Sequence, residues 1–105
     1  MNKEVSWSHL EMICQNDASC LEKFRAVIHK ELPEEIKELR SALNKSSLDQ
    51  AASHVHKIKH KFALMEMHTA FNYAKTYELA LREGNNNGQE LFDTYLQELM
   101  DFLGL

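Results

Sequence analysis

The chain has 105 residues, a net charge of −4, 44% hydrophobic and 27% charged residues, a profile that suits one globular domain and is too short for two cores. Only three Gly and one Pro, with no β-branched runs, leave little turn chemistry for hairpins, which favours an all-helical fold over a β or mixed one. No apolar run approaches the ~20 residues of a membrane span, and the start, "MNKEVSWSHLEMI", lacks a basic region followed by an apolar stretch.

These features predict a single domain over residues 1–105, with no signal peptide and a cytoplasmic setting. Cys14 and Cys20 form no C-x-x-C motif. Free buried thiols are the expectation, with a disulfide or a metal pair as the lesser alternatives.

Five helices are predicted. A short one covers Ser8–Cys14, with Ser6 or Ser8 as its cap. A long one starts at Asp17 or Ser19 and runs to Asn44. Leu21, Phe24, Val27, Ile28, Leu32, Ile36, Leu39 and Leu43 form its stripe at helical spacing, in phase on both sides of Pro33, which is expected to kink it. The third opens on "SLDQ", where Ser47 and Gln50 suit a capping box, and runs to Met65. The fourth spans His68–Glu83, with Ala70, Tyr73, Ala74, Tyr77 and Leu81 inward and Gly84 as its left-handed end. The fifth covers Gln89–Phe102, with Leu91, Phe92, Tyr95, Leu96, Leu99 and Phe102 inward. Short connections make neighbours antiparallel, so an up-down four-helix bundle with a small extra N-terminal helix is predicted. One apolar stripe per helix suggests a monomer.

The third helix carries "HVHKIKHK", residues 54–61, three histidines and three lysines without an acid in an acidic chain. With side chains advancing about 100° per residue and His56 set at zero, Leu48, Ala51, Val55, Ile58, Phe62 and Met65 fall between about 180° and 280°. That apolar face is the predicted core, and it leaves His56 roughly 130° from the core's centre, in solvent. Lys59 and His60 follow one turn later on either side of His56, and the small Ala52 and Ala63 flank it. An exposed imidazole, with a reference pKa of ~6.5, is mostly neutral at cytosolic pH and can act as a nucleophile. A phosphoryl group on His56 would add negative charge that Lys59 is placed to stabilise, while small neighbours let a partner surface approach.

The stretch "HKIKHKFALMEMHTAFNYAKTYELALREGN" resembles the histidine-containing phosphotransfer (HPt) domain, the intermediate carrier of multistep two-component phosphorelays. The resemblance rests on His56, Ile58 and Lys59, followed by Ala74, Lys75, Tyr77 and Glu78, and extends over nearly the whole chain. It implies that His56, through Nε2, accepts a phosphoryl group from a receiver-domain phospho-aspartate and passes it to another receiver-domain aspartate. It implies Lys59 as the second catalytic residue, and Ala52, His60 and Ala63 as the receiver-docking surface near the site. The partners implied are response-regulator receivers and hybrid sensor kinases, with Mg²⁺ held by the receiver. The chain itself is then a stoichiometric phosphocarrier without a cofactor and not a turnover enzyme.

Two positions depart from the pattern. His60 and Glu66 stand where the family favours small residues or glycine. A left-handed Glu66 would cost about 1 kcal/mol, so a differently built turn is expected there. His60 beside the acceptor keeps open a docking module that has lost transfer activity. His56 and His60 at i, i+4 also have a zinc-ligand spacing, but without evident third and fourth ligands a metal site is not expected. Nucleic-acid binding is disfavoured by acidic surroundings and by the lack of interleaved aromatics. His9, His29, His54 and His68 are read as ordinary solvated or boundary residues, Lys57 and Lys61 as a solvated face able to steer an acidic partner.

Overall fold

A computed structural model describes residues 5–105. Helix α1 spans Ser8–Ile13, α2 Ala18–Asn44, α3 Leu48–Leu64, α4 His68–Arg82 and α5 Gln89–Leu103, and no strand occurs among the described residues. The long helices α2 to α5 form the antiparallel bundle, and α3 packs most extensively on α4 and next on α2.

The helix ends explain the tight antiparallel connections. Ser46, Glu66 and Gly84 adopt left-handed φ values of 56°, 61° and 84°. In each case the next residue's N–H returns to a carbonyl five positions back: Ser47 to Ala42 at 2.9 Å, Met67 to Phe62 at 2.9 Å, Asn85 to Ala80 at 2.8 Å. This is the Schellman arrangement, closing orphan carbonyls at the ends of α2, α3 and α4. Glu66 therefore builds the turn that glycine would build, contrary to the sequence expectation. Helix α2 begins at Asp17, whose carboxylate accepts from the Ser19 N–H at 3.0 Å. The Ser47–Gln50 capping box is not formed: Ser47 makes no side-chain cap bond, and its own N–H, the donor Gln50 would satisfy, is already given to Ala42. Helix α2 runs unbroken through Pro33, which supplies no N–H to the ladder.

The core is formed by Ile28, Leu32, Ile36 and Leu39 of α2, Ala51, Val55, Ile58 and Phe62 of α3, Ala70, Ala74, Tyr77 and Leu81 of α4, and Phe92, Leu96 and Leu99 of α5. Phe62 of α3 meets Phe92 of α5 edge-on at 5.9 Å, and Tyr77 of α4 lies 4.9 Å from the same Phe92 ring. Three stripe positions fall outside this core. Val27, Leu91 and Phe102 are exposed, while Ala42 and Leu103 are buried. Val27 on α2, and Leu91 and Phe102 on α5, lie at one edge of their stripes, so both stripes as predicted are too wide on that side, while Ala42 and Leu103 fall within them.

Other expectations are corrected by tertiary contacts. Lys61 is buried; its Nζ lies 3.1 Å from Glu31 Oε1 and 3.0 Å from Glu35 Oε1, so it joins α3 to α2 instead of facing solvent. His29 is pinned between elements: its Nδ1 is 2.8 Å from the Arg25 carbonyl and its Nε2 is 2.7 Å from that of Leu103 at the end of α5. The cysteines are not free. A Cys14–Cys20 disulfide joins the end of α1 to the start of α2. The turn between them takes left-handed φ at Gln15 and Asn16 and brings the two Cα atoms to 5.6 Å, within bridging distance.

Because Glu66 holds a conformation that penalises a Cβ, Glu66→Gly is expected to raise stability by about 0.5–1 kcal/mol, the strain relieved less the added freedom of the unfolded chain. Urea unfolding measures this; a midpoint that falls would show that the Glu66 side chain contributes more than its backbone costs.

Candidate functional site

The α3–α4 hairpin folds about Glu66, ten residues after His56 and twelve before Glu78. At 1.5 Å per residue, His56 lies about 15 Å along α3 from the turn, and Glu78 returns to nearly the same level on α4. Ala51, Ala52, Val55 and Ile58 are fully buried, which fixes the rotation of α3 and turns His56 outward. The His56 side chain is 50% exposed.

Glu78 organises the cluster. Its Oε1 lies 3.2 Å from His56 Nδ1 and 3.1 Å from Lys59 Nζ, and its Oε2 accepts from Arg82 Nη2 at 3.3 Å. Burial by itself would raise this carboxyl, but hydrogen bonds from Lys59, His56 and Arg82, with the Lys59 charge, hold it below the usual carboxylate range. A carboxylate only accepts, so His56 Nδ1 carries a proton, and in the neutral ring the lone pair is then on Nε2. That lone pair is on the outer side of the ring. His60 Nε2 is 3.3 Å from it, with the two rings nearly perpendicular and their centroids 4.8 Å apart. His56, Lys59, Lys75, Glu78 and Leu79 line a small surface cavity of about 190 Å³.

Of the residues singled out from sequence, the structure brings His56, Lys59 and His60 together. Ala63 is half-buried beside them. Ala52 is corrected: it is fully buried and offers no surface to a partner. Lys59 is also placed differently from expectation. Expected to stand ready for a phosphoryl group, it is instead ion-paired with Glu78, whose same oxygen faces His56 Nδ1, and its side chain is 13% exposed. Glu78 and Arg82 were not recognised as site residues. Their i, i+4 spacing on α4 is visible in the sequence, but their relation to His56 depends on hairpin register. Lys75 and the exposed Leu79 join the site through the same register.

No cluster of three or more His, Cys, Asp or Glu side chains able to hold a metal occurs among the described residues. No described helix is long and apolar enough to cross a membrane. In comparisons with known proteins, the family model described as Hpt domain matches residues 23–103. No curated protein and no solved structure matches the chain.

Glu78 gives a signed pH dependence. Its folded value lies below the ordinary glutamate value near 4.5, so the folded state binds fewer protons there than the unfolded state. The stabilisation is full above that value and is lost as pH falls through the lower, folded one. Urea midpoints of the wild type and Glu78→Gln should differ most near neutrality and converge in acid; a gap independent of pH would remove ionised Glu78 as its source.

Proposed function

The chain belongs to the Hpt domain family, and from that membership we propose that His56 is its phosphoacceptor, taking a phosphoryl group from a receiver-domain phospho-aspartate and giving it to another receiver-domain aspartate. Hpt domains serve histidine phosphotransfer in phosphorelays, interact with receiver domains of response regulators and hybrid kinases, and are phosphocarrier modules more than classical enzymes. The observation that carries the assignment to His56 is the Glu78 contact at Nδ1, which leaves Nε2 as a nucleophile on a half-exposed ring.

The chemistry follows from that tautomer. The Nε2 lone pair attacks phosphorus, a P–N bond forms, and the P–O bond to the receiver's aspartate breaks, releasing its carboxylate. The ring then holds a proton on Nδ1 and a phosphoryl group on Nε2, and its cationic character is matched by the Glu78 carboxylate already in place. A carboxylate behind an imidazole plays the same orienting part in hydrolase triads. Lys59 and Arg82 keep that carboxylate ionised and fixed, and Lys59 and Lys75 make the rim of the site positive toward the incoming phosphoryl group. The receiver supplies Mg²⁺ and the acidic pocket, since phosphoryl transfer requires mainly positioning and charge stabilisation. The exposed Leu79 and the outward face of α3 offer the docking surface, with Ala63 in place of the buried Ala52. A cytoplasmic setting and a monomeric carrier complete this reading.

One observation favours a second reading. His60 Nε2 occupies the approach to His56 Nε2, as a docking module without transfer activity would allow. Incubation with a phosphorylated receiver separates the two. Acid-labile, alkali-stable phosphate should appear on the wild type and be lost in His56→Gln with helicity unchanged. Label retained in that variant but lost in His60→Gln would move the acceptor, and an unlabelled wild type across a panel of receivers would favour the docking module.

Lys59→Ala should slow phosphoryl uptake by about tenfold, the kinetic equivalent of one charge-assisted hydrogen bond, without unfolding the domain. An unchanged rate and an unchanged phosphohistidine lifetime would remove Lys59 from the mechanism.

A further inference from the structure

We propose that His56 and His60 form an open two-nitrogen site for a borderline divalent cation, Zn²⁺ in particular, and that the cation and the phosphoryl group exclude one another at His56 Nε2. Three features of the site carry this. The first is distance. Two Zn–N bonds of about 2.05 Å spanning nitrogens 3.3 Å apart enclose an angle of about 107°, within a few degrees of tetrahedral. The i, i+4 spacing already brings the nitrogens to this separation; the rings must still turn so that both lone pairs meet at the ion instead of along the line between the two nitrogens.

The second is protonation. Metal-bound imidazole must present a lone pair, and a carboxylate on the opposite ring nitrogen is the usual arrangement that fixes it. Glu78 does this for His56: its Oε1 faces Nδ1, so Nε2 is free to ligate. His60 has no such constraint. Its N–H, directed at His56 Nε2 in the metal-free protein, moves to its own Nδ1 on binding, a change of tautomer.

The third is openness. With no third protein ligand among the described residues, two coordination positions remain for water or for a donor on a partner. Such a site differs from the closed four-ligand sites that hold structural zinc, and it suits reversible occupancy. Mg²⁺, a hard cation that prefers oxygen, is not expected to compete.

The binding half of the proposal stands on geometry; the exclusion half rests on His56 being the phosphoacceptor. The test keeps the two apart. Histidine-¹⁵N-labelled protein is titrated with ZnCl₂ at pH 7.5 in a non-chelating buffer, following ring nitrogens by NMR. The His56 and His60 Nε2 signals should move together and saturate at one equivalent bound. His56→Gln and His60→Gln should each weaken binding by about tenfold or more, since each removes a direct ligand. Shifts centred on His29, His54 or His68, or unchanged affinity in either variant, would overturn the site.

In parallel, His56 is phosphorylated with phosphoramidate, which needs no receiver and no Mg²⁺. Each protein's rate with zinc is divided by its own zinc-free rate. Zinc should slow the wild type severalfold and leave the ratio for His60→Gln near one. Equal ratios for the two proteins would overturn the exclusion. Absence of any His56 phosphorylation would overturn both the exclusion and the phosphoacceptor assignment, while the NMR result alone decides the metal site.

Discussion

A single carboxylate sets the chemistry of this surface. Glu78 accepts from His56, Lys59 and Arg82 at once, and each partner has a different consequence. The His56 contact selects the ring tautomer. The cationic partners offset the burial that would otherwise favour a neutral acid. Were Glu78 protonated, it could donate to His56 Nδ1, and the free lone pair at Nε2 would no longer be guaranteed. The tautomer of His56 is therefore specified from a neighbouring helix, and Lys59, three residues after His56, bears on it through that same carboxylate.

This arrangement depends on the register between α3 and α4. A slip of one residue on α4 would rotate Glu78 by about 100°, away from His56. Two features prevent it. The left-handed turn at Glu66 closes the end of α3 in one geometry, with the Met67 N–H on the Phe62 carbonyl. Fully buried Ala51, Ala52 and Val55 on one side, with Ala70 and Ala74 on the other, let the backbones approach closely and leave little space for a different pairing. The tolerance of a strained Glu66 is understandable in these terms: the turn is determined by what lies on both sides of it.

The fold was largely legible from spacing, because helix stripes and turn residues are local properties. All five helices and the outward direction of His56 follow from counting about 100° per residue. The same count explains the errors. Lys61 and Ala52 each lie about 40° beyond an edge of the apolar face of α3, on opposite sides, and both are buried. A single-helix projection locates the centre of a buried face but not its width, which neighbouring helices set. Lys61 tolerates that position because its ammonium reaches Glu31 and Glu35 along a long apolar stem. The cysteine pair escaped because Gln15 and Asn16 take a conformation that their sequence does not require. Glu78 escaped as a site residue because 22 residues separate it from His56, and only the folded hairpin makes them neighbours.

His60 is where local and tertiary reasoning meet. Its i, i+4 relation to His56 is a sequence property, yet its effect depends on which His56 nitrogen is free. With Nδ1 held by Glu78, the nitrogen His60 approaches is the one left with a lone pair, so His60 is not a neutral neighbour. As a donor, it occupies that lone pair, and under the proposed phosphoacceptor role it would have to give way to the phosphoryl group. As a second lone pair, it would turn the same position into the proposed metal site. A small residue there would leave Nε2 permanently open, whereas His60 makes access to it conditional on what else the two rings can bind.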